Sequence, residues 1–510
     1  MAQHQTLWIL DFGSQYTQLI ARRVRELGVY CEIRPCTDPA PSTYPDELVG
    51  LVLSGGPASV LGDDAPPFDE RWLDVGVPIL GVCYGMQLLA RHFGGHVGRG
   101  QSREYGLARL QLEDDPGPLL GHHTAADVVW MSHGDHVDAV PDGWRVAARS
   151  SGVVAAMVRD DQRAFGLQFH PEVTHSTSGK GLLASFVQGV CKATGDWTPG
   201  SFVEETVARL KEQIGDDHVI CGLSGGVDSS VAAALLHEAI GDRLHCVFVD
   251  NGLLRQDEAA EVEAEFDDFD LTVIDASERF LSKLAGVTDP EQKRKIIGVE
   301  FVRVFEAFAR SHPEARWLGQ GTLYPDVIES VSVRGPSATI KSHHNVGGLP
   351  DDMQLQLVEP LRELFKDEVR AVGLALGLSE KRVWRQPFPG PGLGVRCLGE
   401  LRQERLTALR RADAIVRAEI AAAGLEREIW QSFVVLLPVR SVGVMGDERT
   451  YEEAACIRAV HSHDGMTADW VHLPYELLGR MSNRIINEVP GINRVAYDIS
   501  SKPPGTIEWE

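Results

Sequence analysis

Short apolar runs alternate with helical periodicity in the N-terminal part of the chain. Leu7–Leu10, Val49–Leu53 and Ile79–Val82 are continuous apolar runs, which are typical of strands buried on both faces. Tyr16–Leu27 predicts a helix that ends at a glycine, and residues 164–172 predict the last strand of this unit. Strands that alternate with helices indicate an α/β fold with a parallel sheet.

A second series of strands and helices follows. Val219–Leu223 and Leu244–Val249 predict strands on either side of a helix over Ser230–Ile240. Leu271–Ile274 and Trp317–Leu318 extend the predicted sheet. The middle of the chain is therefore also expected to be an α/β unit.

The pattern changes at Gln386–Gly394 (QPFPGPGLG), which is too rich in proline and glycine for a helix or a central strand. A long helix over residues 404–423, apolar strands and a final helix around Tyr475–Glu488 follow it. Thr194–Gly200 (TGDWTPG) is the predicted linker after the first unit. The predicted domains are residues 1–196, 197–385 and 386–510.

Length and composition indicate a globular protein, and 510 residues correspond to about two to four domains. No stretch reaches the roughly 18 to 20 uncharged apolar residues of a membrane span. Residues 1–10 lack the pattern of a secretory signal, and none of the eight cysteines forms a CxxC pair. A cytoplasmic protein without a zinc site, a disulfide framework or membrane association is therefore expected.

Acidic residues outnumber basic ones, 73 to 49, which gives a formal net charge of −24. A general nucleic-acid binder needs a cationic surface, so no nucleic-acid partner is expected. The run Asp257–Asp270 (DEAAEVEAEFDDFD) contributes much of the local excess and predicts a solvated helix face.

Gly81–Gly85 (GVCYG) connects a predicted strand to a helical run over Met86–Phe93. This is the nucleophile-elbow pattern with cysteine in place of serine. A sharp turn would expose Cys83, the flanking glycines would relieve crowding, and the helix N-terminus would favour a thiolate. The alternative is a buried cysteine that only fills space.

A candidate base lies in Phe165–Glu172 (FGLQFHPE). His170 and Glu172 are two residues apart, so in an extended segment they point to the same face. Glu172 could then orient the ring while His170 takes the proton of the Cys83 thiol. Cysteine, histidine and glutamate in this order resemble the catalytic triad of class I glutamine amidotransferases, over about residues 5–195.

The amidotransferase resemblance implies further pocket residues. The amides of Gly56 and Tyr84 would form the oxyanion hole, and Gln87 would help to hold glutamine. Ser132–Asp135 (SHGD) would line the substrate pocket, with an ordinary polar loop as the alternative.

Val219–Ser230 (VICGLSGGVDSS) is a strand, a glycine-rich loop and the start of a helix, which together make an anion site from backbone N–H groups and the helix dipole. The lysine of a Walker A loop is absent, while serines offer hydroxyls and Asp228 offers a carboxylate for Mg²⁺. SGGVDSS resembles the pyrophosphate loop of N-type ATP pyrophosphatases, which cleave ATP between the α and β phosphates. The ATP-binding residues that this resemblance implies are Ser224, Gly225, Gly226, Val227, Asp228, Ser229 and Ser230.

Five further strings extend the resemblance to essentially the whole chain, and the family they resemble is glutamine-hydrolysing GMP synthase. They are Asp250–Arg255 (DNGLLR), Gly319–Ser330 (GQGTLYPDVIES), Ile340–Pro350 (IKSHHNVGGLP), Pro387–Arg396 (PFPGPGLGVR) and Asp498–Glu510 (DISSKPPGTIEWE). The resemblance implies a class I amidotransferase domain, a central ATP pyrophosphatase domain with an adenine-nucleotide α-hydrolase-like parallel sheet, and a C-terminal α+β dimerisation domain. A homodimer is implied in the same way.

The family reaction takes ammonia from glutamine, adenylylates the C2 oxygen of XMP with ATP, and replaces that oxygen to give GMP, AMP and pyrophosphate. By resemblance, Arg255, Gln431, Lys502 and Glu508 contact XMP. Arginine and lysine suit its phosphate, whereas glutamine and glutamate suit its base or ribose. Pro389–Gly392 would lie by the XMP phosphate, or would form a rigid turn at a domain boundary.

The polar segment Ser332–Gly348 predicts a lid that excludes water from the adenylyl intermediate. Lys341 would stabilise charge on the α-phosphate, and Asp326 would assist Mg²⁺ or the lid. A metal site at His343–His344 is disfavoured because no third ligand is evident.

Two other interpretations are open. Another glutamine-dependent ATP pyrophosphatase, such as an NAD synthetase or a tRNA-modifying enzyme, shares the same two motifs. The acidic balance argues against tRNA, and the C-terminal strings argue against NAD. A nucleotide-binding scaffold without catalysis is the second alternative, which the complete triad and phosphate loop disfavour.

Overall fold

The computed structural model describes residues 4–510 except 122, 125–126, 162, 333–354, 446–447 and 463–466. The chain divides into two compact units, Met1–Glu205 and Thr206–Glu510. Among the described residues, no helix combines the length and the apolar character needed to cross a membrane. All eight cysteines are described, and each is a free thiol.

The first unit contains the elements up to the beginning of α5, whose residues from Thr206 belong to the second unit. Its strands are β1 (Thr6–Asp11), β2 (Tyr30–Pro35), β3 (Leu48–Leu53), β4 (Ile79–Val82), β5 (His96–Ala108), β6 (Gln111–Leu112), β7 (Val129–Ala139), β8 (Trp144–Ser150), β9 (Val153–Arg159) and β10 (Ala164–Leu167). Its helices are α1 (Thr17–Arg25), α2 (Tyr84–His92), α3 (Gly117–Leu120), α4 (Gly179–Ala184) and α5 (Pro199–Ile214), with a 3₁₀ turn over Glu70–Asp74 and a π-helical turn over Ser185–Val190.

The main sheet of this unit has the strand order β2-β1-β3-β4-β10-β9-β8-β6 in the described part of the chain. The first five strands are parallel, as the apolar runs predict, and β9, β8 and β6 extend them in antiparallel fashion. Strands β5 and β7 form a separate antiparallel pair. Strand β10 ends at Leu167, so the predicted strand over residues 164–172 is too long by its second half.

The second unit holds the remaining elements. Its strands are β11 (His218–Leu223), β12 (Leu244–Asp250), β13 (Asp270–Asp275), β14 (Ala315–Gly319), β15 (Gln356–Val358), β16 (Gln431–Met445), β17 (Glu448–His461), β18 (Asp469–Trp470) and β19 (Ile492–Tyr497). Its helices are α6 (Val227–Ile240), α7 (Glu258–Glu265), α8 (Ser277–Leu284), α9 (Pro290–Arg310), α10 (Tyr324–Ser332), α11 (Lys366–Ala375), α12 (Glu380–Val383), α13 (Gln403–Ala422) and α14 (Tyr475–Glu488), with 3₁₀ turns over Gly241–Arg243 and Gly392–Val395.

Two sheets organise this unit. The first is wholly parallel, with the order β13-β12-β11-β14-β15. In the second, β17 pairs with β16 and β18 in antiparallel fashion and with β19 in parallel. One hydrophobic cluster runs from Val247 of β12 through Leu393 to Leu409 of α13 and Val434 of β16. The residues on either side of the predicted boundary at 386 therefore pack against each other within the second unit.

The predicted linker at Thr194–Gly200 is packed rather than free. Trp197 is buried, its N–H donates to the Gly28 carbonyl at 2.9 Å, and its ring lies 4.8 Å from that of Tyr30. Helix α5 begins at Pro199. The proline and glycine of this segment predict a turn, and the chain does turn there. The contacts of Trp197 additionally pack the segment against the first unit.

Candidate active sites

Cys83 joins β4 to α2 in a strained turn, with φ 52° and ψ −102°. A positive φ is unfavourable for a residue with a Cβ and is held only where the surroundings enforce it. The flanking glycines make the turn possible. A Cβ on Gly81 would lie 2.5 Å from the Gly85 carbonyl oxygen, and one on Gly85 would lie 2.3 Å from that of Leu53.

The Cys83 sulfur lies among polar groups. Gln168 Nε2 is 3.6 Å from Sγ and donates to it, while Sγ is 3.7 Å from the Ser132 carbonyl. The Cys83 N–H donates to the Leu167 carbonyl at 2.6 Å, which ties the elbow to the end of β10. Gln168 was not predicted as a site residue, although it lies in the FGLQFHPE string.

His170 and Glu172 form the predicted pair, with Nδ1 and Oε1 2.7 Å apart and both side chains buried. Burial by itself lowers the pKa of His170, but the charge of Glu172 and the hydrogen bonds to Cys83 and Glu172 outweigh it and raise this pKa to about 10. His170 is therefore an imidazolium at neutral pH and lies beside Cys83.

The SGGP loop after β3 lies against the same centre. The Gly85 N–H donates to the Ser54 carbonyl at 3.1 Å, and a Cβ on Gly55 would lie 3.1 Å from His170 Cε1. A Cβ on Gly56 would lie 2.8 Å from the Phe12 carbonyl oxygen, so this position requires glycine. Tyr84 is the first residue of α2, where a backbone N–H has no acceptor within the helix.

Gln87 is buried one turn into α2. Its Nε2 donates to the Asp135 carbonyl at 2.8 Å and to Gln168 Oε1 at 3.3 Å. The segment Ser132–Asp135 is part of β7 and not a loop, which corrects the alternative interpretation. Gln87 thus connects the helix of the nucleophile to the strand predicted to line the pocket.

The phosphate loop lies where the order of the central sheet reverses. Strand β12 follows β11 on one side, whereas β14 lies on the other side of β11. Parallel sheets bind ligands at the carboxyl ends of strands at such a switch point. A Cβ on Gly321, just after β14, would lie 3.1 Å from the backbone of Asp228, so the two loops meet closely.

The loop is organised by its own serines. Ser224 Oγ and Ser229 Oγ are 3.1 Å apart, and the Gly226 N–H donates to Ser224 Oγ at 3.3 Å. The Ser230 hydroxyl is fully buried and donates to the Gly226 carbonyl at 2.8 Å. Ser224 and Ser229 are accordingly the more accessible hydroxyls of the predicted set.

Two arginines that the sequence did not identify hold the loop from α12 and the chain just after it. Arg382 and Arg385 donate through Nη1 to the Gly225 carbonyl, at 2.9 and 2.6 Å. Gly225 has φ +73°, which favours glycine at this turn. Arg385 also pairs with the buried Glu258. The expectation of a solvated face for Asp257–Asp270 is therefore wrong at Glu258.

Asp228 stands on the first turn of α6. Its Oδ2 pairs with Lys366 Nζ, whereas Oδ1 is buried without a hydrogen-bond partner among the described residues. A cation beside bound phosphates would satisfy this oxygen, so the position fits the predicted Mg²⁺ ligand. No feature of the sequence pointed to Lys366.

Arg255 is the most distinctive of the predicted XMP residues. Its guanidinium is buried, and Nε and Nη2 have no hydrogen-bond partner among the described residues. Burial lowers the pKa of Arg255 to about 10, partly offset by Asp413 at 3.6 Å, so the group stays cationic at neutral pH. The Arg255 N–H donates to Glu258 Oε2 at 2.9 Å, which links this residue to the phosphate loop.

Glu508 and Gln431 meet in the same region. Glu508 pairs with the fully buried Arg396 through bonds of 2.8 and 3.1 Å, and Gln431 Nε2 donates to Glu508 Oε1 at 2.9 Å. The Phe388 ring lies 4.5 Å from the Arg255 guanidinium and 5.1 Å from that of Arg396. Three of the four predicted XMP residues therefore belong to one connected cluster.

The remaining predicted residues have different surroundings. Lys502 lies in the C-terminal segment Asp498–Glu510, which also contains Glu508, and its backbone N–H donates to the Ala468 carbonyl at 2.7 Å. Asp326 Oδ2 accepts from the Leu323 N–H at 3.3 Å, as a carboxylate does at a helix start. Gly392 has φ +62° and a Cβ there would lie 2.4 Å from the Leu253 carbonyl oxygen, which explains the glycine of the PGPG turn. Lys341 and the predicted lid around it lie outside the described residues.

Comparisons with known proteins identify all three parts of the chain. The family model for glutamine amidotransferase class-I matches residues 8–190, that for NAD synthase residues 201–273, and that for the GMP synthase C terminal domain residues 418–509. The glutamine-hydrolysing GMP synthase of Solidesulfovibrio magneticus is 58% identical, over 100% of both chains.

Two further relatives carry the same name. That of Nitratiruptor sp. is 56% identical over 100% of both chains. That of Fusobacterium nucleatum is 56% identical over 98% of this chain and 99% of the relative. With more than half of its residues shared along almost its whole length, the chain belongs to the glutamine-hydrolysing GMP synthase family.

Proposed function

We propose that the chain makes GMP from XMP, with ammonia that it releases from glutamine at Cys83 and with ATP bound at the loop after β11. The observation that carries this proposal is the cluster around Arg255, Gln431 and Glu508. An amidotransferase site and a phosphate loop are common to several ATP pyrophosphatases, whereas Gln431 and Glu508 of this cluster lie in the segment that the GMP synthase C terminal domain model matches.

The proposed glutaminase reaction begins with the Cys83 thiolate and the His170 imidazolium. The thiolate attacks the amide carbon of glutamine, and the oxyanion is stabilised by the N–H groups of Gly56 and Tyr84. His170 gives its proton to the leaving nitrogen, so ammonia departs and a thioester remains. Neutral His170 then takes a proton from water, which attacks the thioester and releases glutamate.

The proposed synthetic reaction takes place in the second unit. The C2 oxygen of XMP attacks the α-phosphate of ATP and pyrophosphate leaves. Ammonia then attacks C2, and AMP leaves with the oxygen that adenylylation made a good leaving group. Arg255 binds the XMP phosphate, because its Nε and Nη2 make no hydrogen bond among the described residues and together match a pair of phosphate oxygens. Glu508 accepts hydrogen bonds from the base or the ribose of XMP, and the amide of Gln431 donates and accepts them.

Mg²⁺ is the proposed cofactor, held by Asp228 Oδ1 and the phosphates of ATP. Bound there, it would neutralise phosphate charge. Lys366 keeps the other carboxylate oxygen of Asp228 in place. Lys502 adds a positive charge in the tail, and Asp326 and Lys341 act at the lid that follows α10.

The proposed assembly is a cytoplasmic homodimer. The free state of all eight cysteines supports a reducing compartment. The outer part of the β16–β17 ribbon exposes Val439, Val442, Val444 and Tyr451, four apolar side chains that a second copy of the chain would cover.

A direct assay tests the function. Purified protein is given ATP, Mg²⁺, glutamine and XMP, and GMP, AMP and pyrophosphate are measured together with glutamate. We expect all four products in equal amounts. In a parallel reaction, nicotinic acid adenine dinucleotide replaces XMP, as the acceptor of an NAD synthetase. Amidation of that compound without GMP formation would overturn the proposal.

A further inference from the structure

A cluster of imidazole and carboxylate groups lies at the edge of the parallel sheet opposite to the phosphate loop. His218 is the first residue of β11, His245 is the second residue of β12, and Glu314 immediately precedes β14. Because neighbouring parallel strands begin at the same edge, these three side chains converge at the amino ends of β11, β12 and β14. Neither reaction described above uses them.

The possible ligand atoms are close enough to share one ion. His218 Nδ1 is 2.9 Å from His245 Nε2, and His245 Nε2 is 3.7 Å from Glu314 Oε1. All three ligand atoms lie within 4.8 Å of one another. Ligands about 2.0–2.1 Å from a tetrahedral Zn²⁺ are about 3.3 Å apart, so the two imidazoles would rotate away from their mutual hydrogen bond to admit the ion.

A second carboxylate prepares His245 for a metal. Asp270 Oδ2, on the neighbouring strand β13, lies 2.5 Å from His245 Nδ1. This bond places a proton on Nδ1 of His245 and leaves the lone pair of its Nε2 directed at the cluster. Metal-binding histidines commonly donate the hydrogen of their other ring nitrogen to a carboxylate in this way. The His312 ring, 4.6 Å from that of His245, supports it from the side.

The charge of the surroundings favours a cation. Glu314 and Asp270 bring two carboxylates to two imidazoles, in a chain whose net charge is −24. His245 is buried whereas Glu314 is exposed, so the cluster is open to solvent on the side of Glu314, from which a water could serve as a fourth ligand.

We propose that His218, His245 and Glu314 bind one divalent transition-metal ion, of which Zn²⁺ is the representative. Two imidazole nitrogens and a carboxylate oxygen suit zinc or cobalt rather than Mg²⁺, which prefers oxygen ligands throughout. On binding, the Nδ1 proton of His218 moves to its Nε2, and no other covalent change is needed. The ion ties together the beginnings of three strands, at the edge of the sheet opposite to the phosphate loop.

Cobalt titration of the chelator-treated full chain tests this site, because tetrahedral Co²⁺ has visible absorption bands that report its ligands. We expect one Co²⁺ per chain, displaced by one Zn²⁺. His245→Gln and His218→Gln should each lower the affinity at least ~100-fold, and Asp270→Asn by about 10-fold, as for the loss of an outer-shell partner. Circular dichroism and GMP synthesis verify that each variant is folded.

His461→Gln is the matched control. The ring of His461 contacts the Glu428 carbonyl at 2.9 Å and lies far along the sequence in the other sheet, so its removal should leave cobalt binding unchanged. The proposal would be overturned if folded His245→Gln and His218→Gln bound Co²⁺ as the native chain does. A sulfur-to-cobalt charge-transfer band at one equivalent would also contradict it, since a cysteine would then be the ligand.

Discussion

His170 shows at the scale of a single residue how its surroundings set its charge. The side chain is buried, yet its pKa is raised to about 10 because Glu172 and Cys83 lie within reach of its two nitrogens. The spacing of two residues in FGLQFHPE, taken together with Cys83, suggested the bond to Glu172, although both residues lie beyond the end of β10 and not in an extended strand. It could not predict the burial of the pair or the amide of Gln168 beside the sulfur, because both depend on strands far apart in sequence.

Replacing Glu172 with Gln should lower glutamine-dependent synthesis by about 10²–10⁴-fold, because the imidazolium loses its partner and its orientation.

The contribution of the His170–Glu172 pair to the free energy of unfolding should change with pH. The pKa of His170 in the folded chain, about 10, exceeds its ordinary value of 6.5, so the stabilisation from the charged ring is complete below pH 6.5 and is lost as pH rises through about 10. Urea unfolding midpoints of the native chain and the variant should thus differ at pH 6 and converge above pH 10.

Glu113→Gln is the control for the Glu172 prediction, because Glu113 pairs with Arg149 at the surface of the same unit. Such a pair contributes about 0–1 kcal/mol, so both activity and midpoint should stay close to native values. A native-minus-Glu172→Gln difference that is the same at pH 6 and pH 10 would contradict the charge assigned to His170.

Arg255 gives the corresponding prediction for XMP. Arg255→Met removes a buried cation whose Nε and Nη2 make no hydrogen bond among the described residues, and we expect kcat/KM for XMP to fall at least ~100-fold. Steady-state GMP synthesis with ammonia as nitrogen donor measures this without the glutaminase. Arg303→Met, at an exposed arginine of α9 paired with Glu300, should have near-native values. Equal losses in the two variants would exclude phosphate binding by Arg255.

At the scale of helices and strands, the bounds of an element are predicted best from the sequence where a single local pattern determines them. Ile79–Val82 was predicted with the bounds that β4 has, because an apolar run between glycines and prolines has few other solutions. The antiparallel extension of the first sheet by β9, β8 and β6 was not predicted. Strand order depends on pairing between distant segments, which periodicity does not encode.

The elbow yields a prediction of its own. Gly85→Ala would place a Cβ 2.3 Å from the Leu53 carbonyl oxygen, so α2 must shift relative to β3 and carry Cys83 with it. Glutaminase activity should fall at least ~10²-fold, because small displacements of a nucleophile are costly. Ammonia-dependent synthesis, measured in the same preparation, should stay within about twofold of native.

Gly181→Ala is the matched control for the elbow. Gly181 lies in α4, and no heavy atom lies within 4 Å of an added Cβ. Alanine in a helix is favoured over glycine by up to about 1 kcal/mol, so this variant should be at least as stable as the native chain and fully active. A fully active Gly85→Ala would show that the turn tolerates the shift.

At the scale of the whole molecule, packing is continuous across the Pro/Gly-rich segment that begins at residue 386. The sequence predicts a domain boundary at this segment, and in the structure its Leu393 is buried in a core shared with β12, α13 and β16. Composition indicates that the backbone turns there. Composition does not indicate that the turn itself is buried in the hydrophobic core. The amidotransferase, ATP-binding and C-terminal parts of the chain could be recognised from their motifs.

Self-association is predicted for the exposed end of the β16–β17 ribbon. Val444→Glu places a charge on a side chain that is 75% exposed in the single chain and buried in the proposed dimer. Light scattering at micromolar concentration should give the mass of two chains for the native protein and of one for the variant. Leu112→Glu, at an exposed leucine of β6, should stay dimeric. A native monomer would exclude this assembly.

The division of labour between the two centres is tested most directly by Cys83→Ala. GMP synthesis is measured with glutamine and, separately, with saturating ammonium as the nitrogen donor, at fixed ATP, Mg²⁺ and XMP. Glutamine-dependent synthesis should disappear, whereas ammonia-dependent synthesis should stay within about twofold of the native rate, because Cys83 takes part only in glutamine hydrolysis. Equal loss of both activities would contradict the account.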